Sequence, residues 1–273
     1  SFDEQVNGRP KSDFKDIIKS LLVMSYNNMS YRRTQSDLRK MFEEELIKYT
    51  PPRSTLNDYV NKEETKNIIE RLIQLSALLF IDNENTAIID STWFGLKMYL
   101  GGYKQVHDKR EVNLSKCRKI HVVCLRNSKA IAYAKATAGN VHDSPIFEEL
   151  LRGTVHNGFV INKVICDAGY SGKENYATCR ELGVDDAYID FKSNASLKRA
   201  KSNLWREKLR MYKENYSGWH DEYRFRVLIE SVFSAIKRKN TTFLRSKNGL
   251  AQDIELLLKI LVYNITIIGK FFK

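Results

Sequence analysis

The chain has 273 residues, 42% hydrophobic and 29% charged, with 45 Lys and Arg against 33 Asp and Glu and a formal net charge of +12. That length holds one large domain, or a core domain with a small appendage, and the apolar share suffices for a packed core. A general solubility bias would give the same charge, but the basic excess also fits a polyanionic partner, nucleic acid ahead of a membrane surface. The four cysteines, Cys117, Cys124, Cys166 and Cys179, and the absence of a secretory pattern at the start are read as a reducing, intracellular setting. The chain begins at Ser1 rather than Met, so a preceding segment is allowed for.

In chain order, the stretch up to about residue 80 reads as helices. Phe14, Ile17, Ile18, Leu21 and Leu22 recur at helical spacing within Asp13 to Tyr26. Ser30 is placed to cap a second helix running through SYRRTQSDLRKMFEEELIKY, and two prolines open a short third. A long helix from Glu63 to Leu79 leads out. Three short helices carrying Arg32, Arg33, Arg39, Arg53 and Lys62 have the character of a helix-turn-helix unit, in which one helix enters the DNA major groove. A plain bundle with a solvated basic face is the alternative.

From Asn85 to Lys192 the pattern alternates. TAIIDST is a short apolar run ending in acid, and CRKIHVVCLR and KAIAYAKATAG are two strands joined by NSK. SPIFEELL reads as a helix with Ser144 as cap and Pro145 at its first position. NKVICDAGY is a second apolar strand ending in acid, followed by the helix KENYATCREL and the strand DAYIDFK. Three successive strands and then strand–helix alternation predict an α/β fold, a mixed sheet flanked by helices. Cys117, His121 and Cys124 invite a zinc reading. On one strand, however, Cys117 and His121 share a face while Cys124 points away, so buried thiols are expected.

After Ser193 comes a basic linker, SNASLKRAKSNLWREKLRMYKEN, then DEYRFRVLIESVFSAIKRKN, then an apolar C-terminal segment. The run LLLKILVYNITIIGKFF is interrupted by Lys259, Asn264 and Thr266 and falls short of the roughly 20 apolar residues of a membrane span, so a buried core helix is expected.

Three acids carry chemistry. Asp90 and Asp167 each follow an apolar run and precede small residues, the pattern that presents a carboxylate where a strand meets the rim of an open sheet. Glu230 stands alone on a helical face. At about 100° per residue, Tyr223, Arg226, Glu230 and Lys237 form one stripe, and Phe225, Leu228, Ile229, Val232, Phe233 and Ile236 gather opposite, toward the core. An ordinary i,i+4 pair between Arg226 and Glu230 would account for the helix alone, though not for its coincidence with two strand-end aspartates. Oxygen-only donors suit hard divalent cations, and two such ions roughly 4 Å apart promote phosphodiester cleavage. Arg226 and Lys237 would then grip the phosphate backbone.

The spacing Tyr223-x2-Arg226-x3-Glu230-x6-Lys237 resembles the Y-R-E-K signature of insertion-sequence transposases with a DDE active site. IIDST around Asp90 and ICDAGYSG around Asp167 resemble that family's first and second acidic motifs, and KIHVVC and AKATAGNVHDSPIFEELL resemble the segments between them. The resemblance runs from Thr86 to Asn240. It implies an RNase H-like catalytic domain over residues 81–273, preceded by a helical DNA-binding domain over 1–80. It further implies cut-and-paste transposition of double-stranded DNA at terminal inverted repeats, by water attack and then attack of the freed 3′ hydroxyl on target DNA.

By the same resemblance Asp90, Asp167 and Glu230 would bind two Mg²⁺ ions, with Mn²⁺ as a substitute. Tyr223, Arg226 and Lys237 would contact DNA, and the helix-turn-helix reading of the N-terminal helices adds Arg32, Arg33 and Arg53 as DNA contacts. A homodimer on DNA, a prokaryotic cytoplasm and no membrane association are the corresponding expectations. A DNA-binding relative without catalysis, or a nuclease of the same fold without strand transfer, are the alternatives. Only 62 residues separate Asp167 from Glu230, little room for the β insertion in which some relatives carry a tryptophan for a flipped base. Trp205 and Trp219 fall in this interval and are expected to pack. His142 and Asp143 recur in the intervening segment. Asp143 is read there as a structural residue, a helix cap or an outer partner of the metal site, with the cap or packing role preferred.

Overall fold

The computed structural model describes residues 12–96, 117–198 and 202–272. α1 (Phe14–Tyr26) starts at Asp13, whose side chain accepts from the Lys15 N–H at 2.9 Å, and it buries Ile17, Ile18 and Leu21, the stripe its sequence predicts. α2 (Gln35–Glu43) is shorter than expected. The Ser30 carbonyl, not its hydroxyl, accepts from the Arg33 and Thr34 N–H groups and closes a turn. At the other end Glu45 adopts a left-handed φ of 58°, which stops the helix. α3 (Arg53–Tyr59) follows an extended Pro52, and α4 (Glu63–Ala77) passes at Leu78 into a 3₁₀ turn rather than reaching Leu79 as α-helix.

Six strands form one mixed sheet: β1 (Thr86–Leu96), β2 (Cys117–Leu125), β3 (Ile131–Ala138), β4 (Lys163–Cys166), β5 (Asp186–Ile189) and the two-residue β6 (Phe243–Leu244). Their order is β3-β2-β1-β4-β5, with β6 on the end of β1. β2 runs antiparallel to β1 and β3, whereas β4 is parallel to β1 and β5 is parallel to β4. This is the RNase H-like arrangement. α5 (Phe147–His156) and α6 (Lys173–Glu181) make the crossovers on either side of β4.

Side-chain alternation splits the sheet into two faces. Ile88, Ile120, Val122 and Ile165 join one apolar cluster with Ile17, Ile69, Ile229 and Ile254, so a single core continues from the first helices to the last. Ala87, Ile89, Val123, Val164 and Ile189 join the other, with Phe147, Leu150, Tyr176 and Trp219. The four cysteines are free and buried, as expected of packing thiols.

β1 corrects one expectation. It does not end at Asp90 but continues to Leu96, so that Asp90 lies mid-strand. β2 holds β1 by antiparallel pairing as far as Gly95, and β6 pairs with Gly95 and Leu96, while the parallel pairing with β4 stops at Ile89–Cys166. The Asp90 carboxylate therefore emerges where one neighbouring strand gives out. Two helical readings also change. Half of the expected basic linker is helix, α7 (Asn203–Glu214), capped by the Ser202 hydroxyl, while residues 199–201 lie outside the described residues. Asp221 to Asn240 is not one helix: α8 (Tyr216–Tyr223), a 3₁₀ turn over Arg224–Arg226, and α9 (Val227–Asn240) follow one another. Ser144 does not cap α5 but lies in a 3₁₀ turn before it, where its hydroxyl accepts from Asn175 Nδ2 at 3.0 Å.

α10 (Gly249–Phe271) is the expected core helix, buried on nearly every side from Ala251 to Asn264. Of its polar interruptions, Thr266 bonds within the helix, to the Val262 carbonyl at 2.9 Å, and the other two are satisfied from outside it: Lys259 donates to the Asn240 carbonyl. Asn264 Oδ1 accepts from the Ile131 N–H at 2.9 Å, and its Nδ2 donates to the Ile131 carbonyl at 2.9 Å, so one amide side chain continues the hydrogen bonding of edge strand β3. No helix among the described residues is long and apolar enough to cross a membrane. Replacing Asn264 by Leu is expected to lower stability by about 1–3 kcal/mol for each buried backbone group left unpaired. Urea denaturation reads this as a lower midpoint, and an unchanged midpoint would refute it.

Candidate active site

β1 carries Asp90 on the face that packs against α9. There Arg226 reaches Asp90 Oδ2 at 3.2 Å with Nη1 and Glu230 Oε1 at 2.5 Å with Nη2. One guanidinium therefore joins two of the three acids, since its fork presents donors in two directions. Lys237, two turns along α9, donates to Thr92 Oγ1 at 2.7 Å. The expected stripe of Arg226, Glu230 and Lys237 thus survives the helix break: Arg226 and Lys237 turn to β1, while Glu230 stays exposed. These residues line an open groove of about 520 Å³. Opposite the stripe, Ile229, Val232, Phe233 and Ile236 are buried, and Phe225 and Leu228 pack at the margin.

Asp167 follows β4 directly, and its Oδ1 accepts from the Gly169 N–H at 2.8 Å. A side chain at Gly169 would stand 2.9 Å from that oxygen, so the Asp167 carboxylate would have to shift to admit one. Asp167 is near enough to Asp90 to raise its cost of ionisation. Burial pushes the Asp90 carboxyl up to about 6, the Ser91 N–H and Arg226 oppose this, and the charges of Asp167 and Asp143 add to it. Burial likewise raises Asp167, and Asp143 and Asp190 contribute in the same direction. Tyr223 is half-buried within the same field, its phenol pushed up to about 12, first by burial. Burial lowers Lys237, a cation that makes its bond to Thr92 with little water around it.

Two like charges driven together in a low dielectric, with oxygen donors only, fit a hard divalent cation. Among the described residues no three His, Cys, Asp or Glu side chains converge into a complete metal-binding group. Glu230 is turned instead to Arg226.

The remaining sequence-derived residues lie elsewhere. Arg32 and Arg33, in the turn before α2, and Arg53, opening α3, are exposed, and none of the ion pairs above involves them. Trp219 is buried in the core, and Trp205 donates to the Ser171 carbonyl at 2.9 Å, so both pack as expected. Two residues near the acids were missed or misread. Asp190, directly after β5, adds to the field on Asp167, and its signal was a third apolar strand ending in acid. Asp143 makes no capping bond to the helix it precedes and instead contacts Ser91, Lys119 and His121 on the sheet.

The RNase H-like sheet thus carries one acid on β1 and one directly after β4, and a third, Glu230, stands on α9. A family model described as "Transposase DDE domain" matches residues 82–265. The chain belongs to that family. Among solved structures it is similar to a piggyBac transposase synaptic complex with hairpin DNA, at 11% identity and a TM-score of 0.39, covering 98% of this chain and 70% of that one. It is also similar to a Mos1 transposase paired-end complex with left transposon end, at 10% identity and a TM-score of 0.28, covering 89% of this chain and 84% of that one. No curated protein matches the chain.

The raised Asp90 carboxyl has a consequence for stability. The folded protein keeps this proton up to about pH 6, whereas the unfolded chain releases it near 3.8. Stability therefore falls as pH rises through that window, and the penalty is complete above it. In EDTA, Asp90→Asn is expected to stabilise the protein at pH 7 by about 1–3 kcal/mol and to have little effect at pH 4. Thermal melts at the two pH values check this, and equal shifts at both would refute it.

Proposed function

We propose that the chain is a metal-dependent transposase that cleaves DNA at the ends of its element and joins the freed ends to target DNA. The observation that carries this reading is the meeting of Asp90, Arg226 and Glu230 in one open groove inside the span matched by the transposase family. Asp90 and Asp167 would hold a divalent cation, Mg²⁺ or Mn²⁺, with Glu230 joining them once its pair with Arg226 opens. When bound, such ions lower the cost of forming a hydroxide nucleophile and neutralise charge on the scissile phosphate.

The residues of the chain do the remaining work. Arg226 balances Asp90 and Glu230 in the protein alone, and a DNA phosphate competes for the same guanidinium. Lys237, held beside β1 by Thr92, offers a second phosphate contact, and the half-buried Tyr223 near Arg226 a third contact to DNA. We assign residues 1–80 to a helical DNA-binding unit with Arg32, Arg33 and Arg53 on phosphates, residues 81–273 to the catalytic unit, and a homodimer to the DNA complex. The net charge of +12 fits this assignment.

The deciding experiment is cleavage of a labelled duplex carrying the element's terminal repeat, with Mg²⁺, Mn²⁺ or EDTA. Nicking at the repeat boundary in metal alone, reduced about a thousandfold in Glu230→Gln with DNA binding retained, is the expected result. Binding without cleavage would favour a silent DNA-binding relative, and cleavage indifferent to the boundary a nuclease without strand transfer. For the N-terminal unit, Arg53→Ala is expected to reduce the slope of log affinity against log salt by about 1. An unchanged slope would remove Arg53 from the DNA interface.

A further inference from the structure

We propose that Asp143 is a positioning residue for the Asp90 carboxylate, acting through the Ser91 hydroxyl. The inference rests on the reading that Asp90 serves in DNA cleavage. Asp143 lies between β3 and α5, 53 residues beyond Asp90 in sequence. Its Oδ1 accepts from Ser91 Oγ at 2.7 Å and from Lys119 Nζ at 2.8 Å, and it faces His121 Nδ1 at 3.3 Å. These partners stand side by side on the sheet, with Ser91 opposite His121 and Trp93 opposite Lys119 in the β1–β2 register.

Part of this cluster has a plain structural reason. Lys119 is 3% exposed, and an ammonium so enclosed needs a counter-charge. It also donates to the Val141 carbonyl at 3.2 Å and lies 4.7 Å from the centre of the Trp93 ring. None of that requires Ser91, a neutral hydroxyl. The Ser91 contact has a different consequence, because the Ser91 N–H donates to Asp90 Oδ1 at 2.8 Å.

The residue after Asp90 is therefore held from both faces of the sheet. Its hydroxyl is bound to Asp143 on the α5 side, and its N–H holds the acid on the α9 side. With Oδ1 fixed in this way, Asp90 Oδ2 is the oxygen turned to Arg226 and the groove. Burial opposes the charge on Asp143, but the bonds from His121, Lys119 and Ser91 outweigh it and hold the carboxyl below the usual range, so the acceptor stays ionised. Asp143 also borders the second acid: a side chain at Gly169 would lie 3.7 Å from its Oδ2.

Ser91→Ala, Ser91→Thr, Asp143→Asn and the Ser91→Ala/Asp143→Asn double variant separate positioning from charge neutralisation. The readouts are Mn²⁺ affinity of the DNA-bound protein by electron paramagnetic resonance and the single-turnover cleavage rate. Ser91→Ala is expected to lower both by about 10–100-fold with the melting temperature retained, and Ser91→Thr to restore them. Asp143→Asn is expected to fall in the same range and the double variant no lower than the worse single one, since both act on one path. Should Asp143→Asn fail to fold, the Ala and Thr variants at Ser91, which leave the Lys119 pair intact, still decide. Wild-type Mn²⁺ affinity and rate in Ser91→Ala would overturn the proposal and leave Asp143 as the counter-charge of Lys119. An Asp90→Asn control with wild-type affinity and rate would overturn the reading of Asp90 itself, and this inference with it.

Discussion

A carboxylate with only 14% of its side chain exposed has to be compensated, and Asp90 obtains compensation from three directions. The Ser91 N–H holds one oxygen, Arg226 meets the other, and the end of β4 leaves a gap through which the groove reaches it. The compensation is incomplete: burial, with the nearby charges of Asp167 and Asp143 added, still raises the carboxyl to about 6. The raised carboxyl costs stability at neutral pH in the protein alone. The depth of β1, the break before α9 and the loop after β3 all serve to place charges around this one group.

Much of the fold was legible because it follows from local rules. The stripe on α1, the alternation that separates the two faces of β1 and β2, and the acid directly after β4 are encoded in neighbouring residues. Where local rules misled, tertiary pairing was the reason. Asp-Ser-Thr reads as the end of a strand, yet β2 and β6 carry β1 through it to Leu96 by hydrogen bonds that do not depend on side-chain polarity. The helix expected from Ser30 fails because Glu45 turns left-handed and the chain folds back, so that the Asp16 carboxylate accepts from the Lys48 N–H at 2.8 Å.

The apolar C-terminal helix shows how polar residues can sit in a core without weakening the assignment. Lys259 and Asn264 read as interruptions, and each ties α10 to backbone elsewhere, at Asn240 and at Ile131. A buried polar group bonded in this way fixes register where apolar packing alone would tolerate slippage. The orientation of α10 against β3, and with it the face of the sheet that α9 can cover, follows from such contacts.

By itself, the sequence determined which residues could act: two acids after apolar runs, a third on a helix with Arg226 and Lys237 at helical spacing, and a basic surplus suited to a polyanion. Spacing along a helix or strand is fixed by backbone geometry, so these relations survive without knowledge of the fold. Only the tertiary structure decided that Arg226, beside Glu230 on its helix, reaches Asp90 across 136 residues of chain, and that Asp143 bonds to the sheet instead of capping a helix. Such contacts depend on strand register and on where a neighbouring strand stops. Those are set by the packing of the whole core and leave no mark in any short stretch of residues.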